Sequence, residues 1–251
     1  MKLQHATWPE VEAWLKHNDG IVIPIGSTEQ HGPTGLIGTD AICPEVITGG
    51  MAEQGVLVAP TLAIGMAQHH LGFPGSISLR PSTLIALIGD VVRSLAVQGF
   101  RRFLLVNGHG GNIAPVQAAF AEIWAESSFA GRDSGLRLQL FNWFQGRRVK
   151  ALSAELYGDA EGWHATPSEI SLTWHAHPEL ARSDALDPVR APYGDIRDAV
   201  DYRRQFADGR IGSEPGRARV EHGARLFEAG LADAMEAWVG LTERLPGQQD
   251  R

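Results

Sequence analysis

The chain has 251 residues, which suits one large domain. Its 22 basic and 29 acidic side chains leave a net charge of −7 with no basic run, arguing against nucleic acid or an anionic membrane as the main partner. One cysteine, Cys43, excludes an internal disulfide and a cysteine-based zinc cluster. The first residues lack the apolar core of a secretory signal, and no apolar run approaches the roughly 18 residues a membrane helix needs, so a soluble cytoplasmic protein is expected.

Residues 8 to 18 read as a short amphipathic helix capped by Thr7, with Pro9 in its first turn. "GIVIPIG" follows as a fully buried strand, short and rich in β-branched residues. A helix start stands at Thr39–Asp40, although Pro44 and the Gly49–Gly50 pair weaken its continuation. "VLVAP" is a second buried strand, and "LAIGMAQHHLGFPGSISL" is loop with a hairpin expected near its end. "PSTLIALIGDVVRSLAVQGF" is a helix with one apolar stripe at 84, 87, 88, 91, 92 and 95. Then come a strand over 102–106, the glycine turn "NGHGGN", the helix "IAPVQAAFAEIWAES" and the strand "GLRLQLFNWF". Strands alternating with helices predict an α/β fold, a mostly parallel sheet covered on both faces. Further on, "SEISLTWHAH" reads as helix, 178–216 as a polar stretch with little pattern, and 217–244 as a closing helix. The 178–216 stretch fits a subunit-contact arm better than a linker, because a long core helix follows it.

In open parallel sheets the working crevice lies beyond the carboxyl ends of the strands. Glu29 and His31 come just after the first strand, His109 just after the third, and Asp40 opens a helix on the return path. Carboxylate oxygens and imidazole nitrogens suit Zn²⁺, Mn²⁺ or Fe²⁺. At i, i+2 on extended backbone, Glu29 and His31 diverge, which would serve two neighbouring ions with Asp40 between them. Two-metal sites hold their ions about 3.5–4 Å apart and share a water or hydroxide. Taken singly, each residue has an ordinary alternative: a solvated loop for Glu29, an N-cap for Asp40, a turn histidine for His109. Cys43 reads as a small buried hydrophobe. The glycine turn could cradle a phosphate instead, but it lacks the lysine of a P-loop and the spacing of a dinucleotide fingerprint.

"PIGSTEQHGPTGLIGTD", "FPGSISL", "LLVNGHGGN" and "HATPSEISL" resemble the signature segments of the creatininase family of metal-dependent amidohydrolases, and "GRIGSEPGRARVEHG" resembles its closing motif. The resemblance covers nearly the whole chain and implies a single creatininase-like domain over 1–251. It further implies two divalent ions (Zn, Mn or Fe) per subunit and hydrolysis of a C–N bond other than a peptide bond, in an amide or cyclic amide. By the same resemblance Glu29 and His31 ligate different metals, Asp40 bridges them, and His109 completes the first site. The partners implied are a small-molecule amide substrate and further copies of the chain, a homo-oligomer, often a hexamer.

Two positions depart from the family pattern. Where creatininase has a second-metal glutamate two residues after the turn histidine, this chain has Gly111, so either Glu169 supplies the carboxylate or the second site is weaker. Thr166 stands where many members have glycine. The catalytic candidates are His164, a proton shuttle with an ordinary imidazole pKa of about 6.5, and Glu169. Trp143 and Trp163 are candidate pocket walls, with His69 and His70 as pocket lining. Alternatives within the family are a formamide deformylase or a peptidase, and outside it a non-enzymatic module for a phosphorylated ligand.

Overall fold

The computed structural model describes residues 1–182 and 184–243. A three-stranded parallel sheet runs in the order β1 (Gly20–Ile25), β2 (Arg102–Asn107), β3 (Arg137–Asn142). The register pairs Ile25 with Asn107 and Asn107 with Asn142, so all three strands end on one rim. Before the sheet lies α1 (Trp8–Leu15), shorter at its end than the sequence pattern suggests, with the Glu10 carboxylate accepting the Thr7 N–H at 2.6 Å.

Alternation along β1 and β2 sorts the core onto two faces. Ile21, Ile23, Ile25, Phe103 and Leu105 pack on one side. Val22, Leu104 and Val106 pack on the other. The first face is covered by α3 (Pro81–Ala96) and α4 (Ile113–Phe129), the second by α2 (Thr39–Glu53), α5 (Arg147–Tyr157), α6 (Pro167–Ala176) and α8 (Val220–Thr242). Both faces of a parallel sheet are thus shielded from water, as its apolar strands require. The α3 stripe is as read, with Leu84, Ile88 and Val92 fully buried and Leu87 at its edge.

The "VLVAP" run does not form a strand. It lies along the free edge of β1, where Val22 N–H donates to Leu57 and Ala59 N–H to the Val22 carbonyl, at 2.9 and 2.8 Å. Pairing resumes only at Leu62, whose N–H reaches the Pro24 carbonyl at 2.9 Å. Pro24 has no N–H to offer between these points, and Pro60 has none either, so the ladder breaks into isolated bridges. The expected hairpin near Phe73–Leu79 is also not formed: that stretch makes one antiparallel bridge, Ile77 to Thr28.

The 178–216 stretch holds more structure than its pattern suggests. α7 (Ala199–Gln205) starts where the Asp198 carboxylate accepts the N–H groups of Val200 and Asp201, both at 2.9 Å. Tyr202 and Phe206 then pack with Phe73 and Ile211 in a small core of their own. The closing helix begins at Val220 rather than 217, after a 3-10 turn at Pro215–Arg217, and Arg244 lies outside the described residues. No described helix is long and apolar enough to cross a membrane.

Candidate metal centre

The site is built where three backbones meet beyond the sheet rim. α2 runs through Pro44, which cannot donate to the Asp40 carbonyl one turn back. That carbonyl lies against Gly26 and Gly108, the residues following β1 and β2, and a Cβ at either would collide with it. Glycine therefore lets the ends of both strands close on the first turn of α2. Glu29, Asp40 and His109, distant in sequence, are brought together, and all three are buried.

His109 Nδ1 lies 3.2 Å from Glu29 Oε1 and 3.0 Å from Asp40 Oδ2. Its Nε2 lies 3.0 Å from the Met66 carbonyl, so Nε2 carries the hydrogen and Nδ1 the lone pair. Met66 is itself held, because its N–H donates to Asn112 Oδ1 at 3.0 Å and Asn112 Nδ2 donates to the Gly26 carbonyl at 2.9 Å. His31 is oriented the same way. Its Nδ1 faces the Glu29 carbonyl at 3.0 Å, which leaves Nε2 toward Asp40 Oδ1 at 3.1 Å and Glu169 Oε2 at 3.9 Å.

Glu169 reaches the site through a capping box encoded by "TPSE". The Thr166 N–H donates to Glu169 Oε1 at 2.6 Å, and the Glu169 N–H donates to Thr166 Oγ1 at 3.3 Å. One carboxylate oxygen caps α6 while the other faces His31. Thr166 supplies the cap.

The donor set fits cations. Asp40 Oδ2 is enclosed yet has no hydrogen-bond donor among the described residues, although buried polar atoms ordinarily find one, and Glu29 Oε1 is met only by the imidazole edges of His70 and His109. Both face the imidazole lone pair of His109, and three such lone-pair groups converging need a positive charge between them. Two clusters, Glu29–Asp40–His109 and His31–Asp40–Glu169, each hold their ligand atoms within 4.8 Å of one another, and a third grouping joins Glu29, His31 and His164. Without a cation a proton takes that place: burial disfavours a charged His109, yet Glu29 and Asp40 lift it well above its ordinary value. Burial alone would neutralise Glu29, but His109 and His70 outweigh it and hold the carboxyl well below the usual range. Burial also disfavours a charged His31, yet Asp40 and Glu169 lift it to about 10. The site thus attracts protons where it would otherwise hold ions, and the two compete.

A sequence profile described as Creatininase, creatinine amidohydrolase, matches residues 4–238. The chain belongs to the creatininase family. It is 30% identical over 231 residues to a mycofactocin precursor peptide peptidase of Mycolicibacterium smegmatis, covering 87% of this chain and 85% of that one. It is likewise 30% identical over 246 residues to a creatinine amidohydrolase of Pseudomonas putida, covering 91% and 94%. The fold superposes on a manganese creatininase with a TM-score of 0.82 at 26% identity, over 96% of this chain and 99% of that one. A mutant creatininase of zinc–zinc type gives 0.82 at 27%, over 96% and 98%. Family members named in this way are hydrolases, of an amide in one case and of a peptide in the other.

In this creatininase-family chain the remaining predicted residues fall around one cavity of about 790 Å³. Trp143, Trp163, His69 and His70 all line it. Trp143 is buried, whereas Trp163 is 66% exposed and stands edge-on to Tyr193 with ring centroids 5.6 Å apart. His70 does more than line the wall: its Nε2 lies 3.0 Å from Glu29 Oε1. Cys43 is buried, and burial pushes its thiol well up, which leaves it a neutral hydrophobe.

His164 Nε2 lies 2.8 Å from the Gln30 carbonyl, which assigns the hydrogen to Nε2 and leaves Nδ1 without a partner among the described residues. Burial, then the neighbouring His31 and His70, holds this imidazole well below its ordinary value, so it is neutral. Its loop is fixed from behind by a bridge to Ile211 and by the Ser213 hydroxyl donating to the His164 carbonyl at 2.7 Å.

Sequence reasoning missed several supports. Ser27 Oγ donates to Glu29 Oε2 at 2.7 Å. The Gln30 amide accepts from Gly32 N–H at 2.8 Å and turns its Nε2 toward His70 Nδ1 at 3.0 Å and the Gly209 carbonyl at 2.9 Å. Glu161 lines the cavity, paired through one oxygen with Ser168 and with the other unpartnered among the described residues; burial raises it to about 7. For Ser27 and Gln30 the only sequence signal was adjacency to Glu29 and His31. Glu161 carried none.

Proposed function

We propose that the protein is a metal-dependent hydrolase that adds water across the C–N bond of a non-peptide amide or cyclic amide, giving a carboxylic acid and an amine. Two divalent cations (zinc, manganese or iron) would be held by Glu29, His31, Asp40, His109 and Glu169. The observation that carries this reading is the division of one carboxylate, with Asp40 Oδ2 facing His109 beside Glu29 and Oδ1 facing His31 near Glu169. In this assignment Glu29 and His109 serve one ion, His31 and Glu169 the other, and Asp40 both. When bound, such ions supply Lewis acidity toward a carbonyl oxygen and lower the pKa of water toward neutrality.

His164 is the proton carrier. Neutral and fixed through Nε2, it takes a proton at Nδ1 and returns it to the departing nitrogen. The bond from its Nε2 to the Gln30 carbonyl and its backbone bridge to Ile211 hold the ring in place through both transfers. A homo-oligomer, up to a hexamer with 178–216 at the subunit contacts, and a cytoplasmic location belong to the same proposal.

A second reading, peptide hydrolysis, is favoured by the cavity: about 790 Å³ is room for a ligand of drug size rather than one small ring. The test is metal analysis of protein never exposed to chelator, followed by turnover on creatinine, N-formyl purine fragments and short peptides. Two equivalents of metal and hydrolysis of the cyclic or formyl amide are expected. Material empty of zinc, manganese and iron, with phosphate protecting the 107–112 turn, would establish the phosphate-binding alternative instead.

A further inference from the structure

Several arginines of the chain have acidic partners. Arg148 pairs with Asp233 and Glu236 at 2.6 Å each, Arg210 with Asp208 at 2.7 Å, and Arg190 and Arg217 share Glu214 at 2.8 and 2.9 Å. Lys150 differs. Among the described residues it is the sole lysine or arginine lining the cavity, and it has no ion pair or side-chain hydrogen bond there. Its helix offers none, since the positions three and four residues away are Gly146, Arg147, Ser153 and Ala154. Ser153, one turn on along the same face of α5, also lines the cavity, and its hydroxyl too has no partner among the described residues. Residues at this spacing have Cβ atoms about 5–6 Å apart, close enough for an ammonium and a hydroxyl to meet one small anion. Ala154, beside them, lines the same cavity.

We infer that Lys150 and Ser153 form a subsite for a carboxylate carried by the amide substrate. One ammonium and one hydroxyl match a single negative charge, and among the described residues no arginine, whose fork favours phosphate, lines the cavity. Lys150 and Ser153 line the same cavity as Glu29, Asp40, His109 and Glu169, so an anion held there shares the cavity with the metal-centre residues. The substrate class is an amide that carries a carboxylate apart from the scissile bond. This inference rests on the hydrolase reading for the word substrate, but not for the existence of the subsite.

Calorimetric titration of the protein as isolated with N-acetyl-triglycine and with its carboxamide tests it, beside the Lys150→Met, Lys150→Arg and Ser153→Ala variants. The wild type is expected to bind the acid about tenfold more tightly than the carboxamide. Lys150→Met should bring that ratio close to one, Ser153→Ala should lower it severalfold, and Lys150→Arg should retain it, all at unchanged metal content. No preference in the wild type, no binding of either peptide, or a preference that survives in Lys150→Met overturns the subsite. If the preference behaves as expected while no amide is hydrolysed, the subsite stands and the catalytic reading falls. If an amide is hydrolysed without the preference, the catalytic reading stands and the subsite falls.

Discussion

The two sides of the cavity are made in different ways. On the sheet side, Glu29, Asp40 and His109 hang from strand ends and a helix start whose backbones touch, with no side chains between them. On the far side, His164, Glu161 and Glu169 belong to a loop and a short helix, tied down by the bridge to Ile211, a capping box and the contacts of α7. The sheet side gives little freedom to its side chains, which suits the proposed role of meeting a cation to within a few tenths of an ångström. The far side tolerates variation, which suits residues that handle different substrates on one scaffold.

Removing the atom pair that joins the two sides should have the largest effect. Asp40→Ala deletes both oxygens facing His109 and His31. Loss of groups merely supporting a ligand costs about 10–100-fold, so loss of this ligand should exceed 100-fold in activity. Metal analysis should show both ions gone; two ions per chain in the variant would refute the bridging role. His164→Ala attacks only the far side. Turnover should fall about 100- to 10,000-fold, the range for a lost general acid–base group, with metal content unchanged. Loss of an ion would mark His164 as a ligand, in line with its proximity to Glu29 and His31.

The same division explains what the sequence revealed. The sheet side was legible because its elements carry strong local patterns: an apolar strand, a glycine turn, then a polar residue on a rim whose position the parallel order dictates. Glu29, His31, Asp40 and His109 could be grouped from chain order alone. "VLVAP" misled because composition favours a strand, while the obstacle, the missing N–H of Pro24, lies on the neighbouring segment. α7 was hidden because seven polar-rich residues have no periodicity to read, and its capping aspartate is one of several in that stretch. Glu161, Lys150 and Ser153 gave no signal: their significance lies in which cavity they face and which partners they lack, and both depend on tertiary contacts.

A smaller and more discriminating change concerns Gly111, where creatininase carries a glutamate. Introducing glutamate there adds a carboxylate beside the proposed second metal site, yet it also adds a Cβ for which there is no room. A Cβ at 111 would meet the His109 ring and the Met66 carbonyl, the two groups whose hydrogen bond sets the His109 tautomer. Gly111→Glu should therefore displace that support and weaken metal binding about 10- to 100-fold, the range for losing a partner that orients a ligand. Gly111→Ala, which adds the Cβ without the carboxylate, should weaken it similarly. Metal affinities measured by chelator competition separate the cases. If the glutamate variant binds its second ion more tightly than the wild type, the turn is free to open and Glu169 is not the residue that completes the site. If both variants bind more weakly, glycine at 111 is a requirement of the His109–Met66 contact, and the second carboxylate has moved to α6.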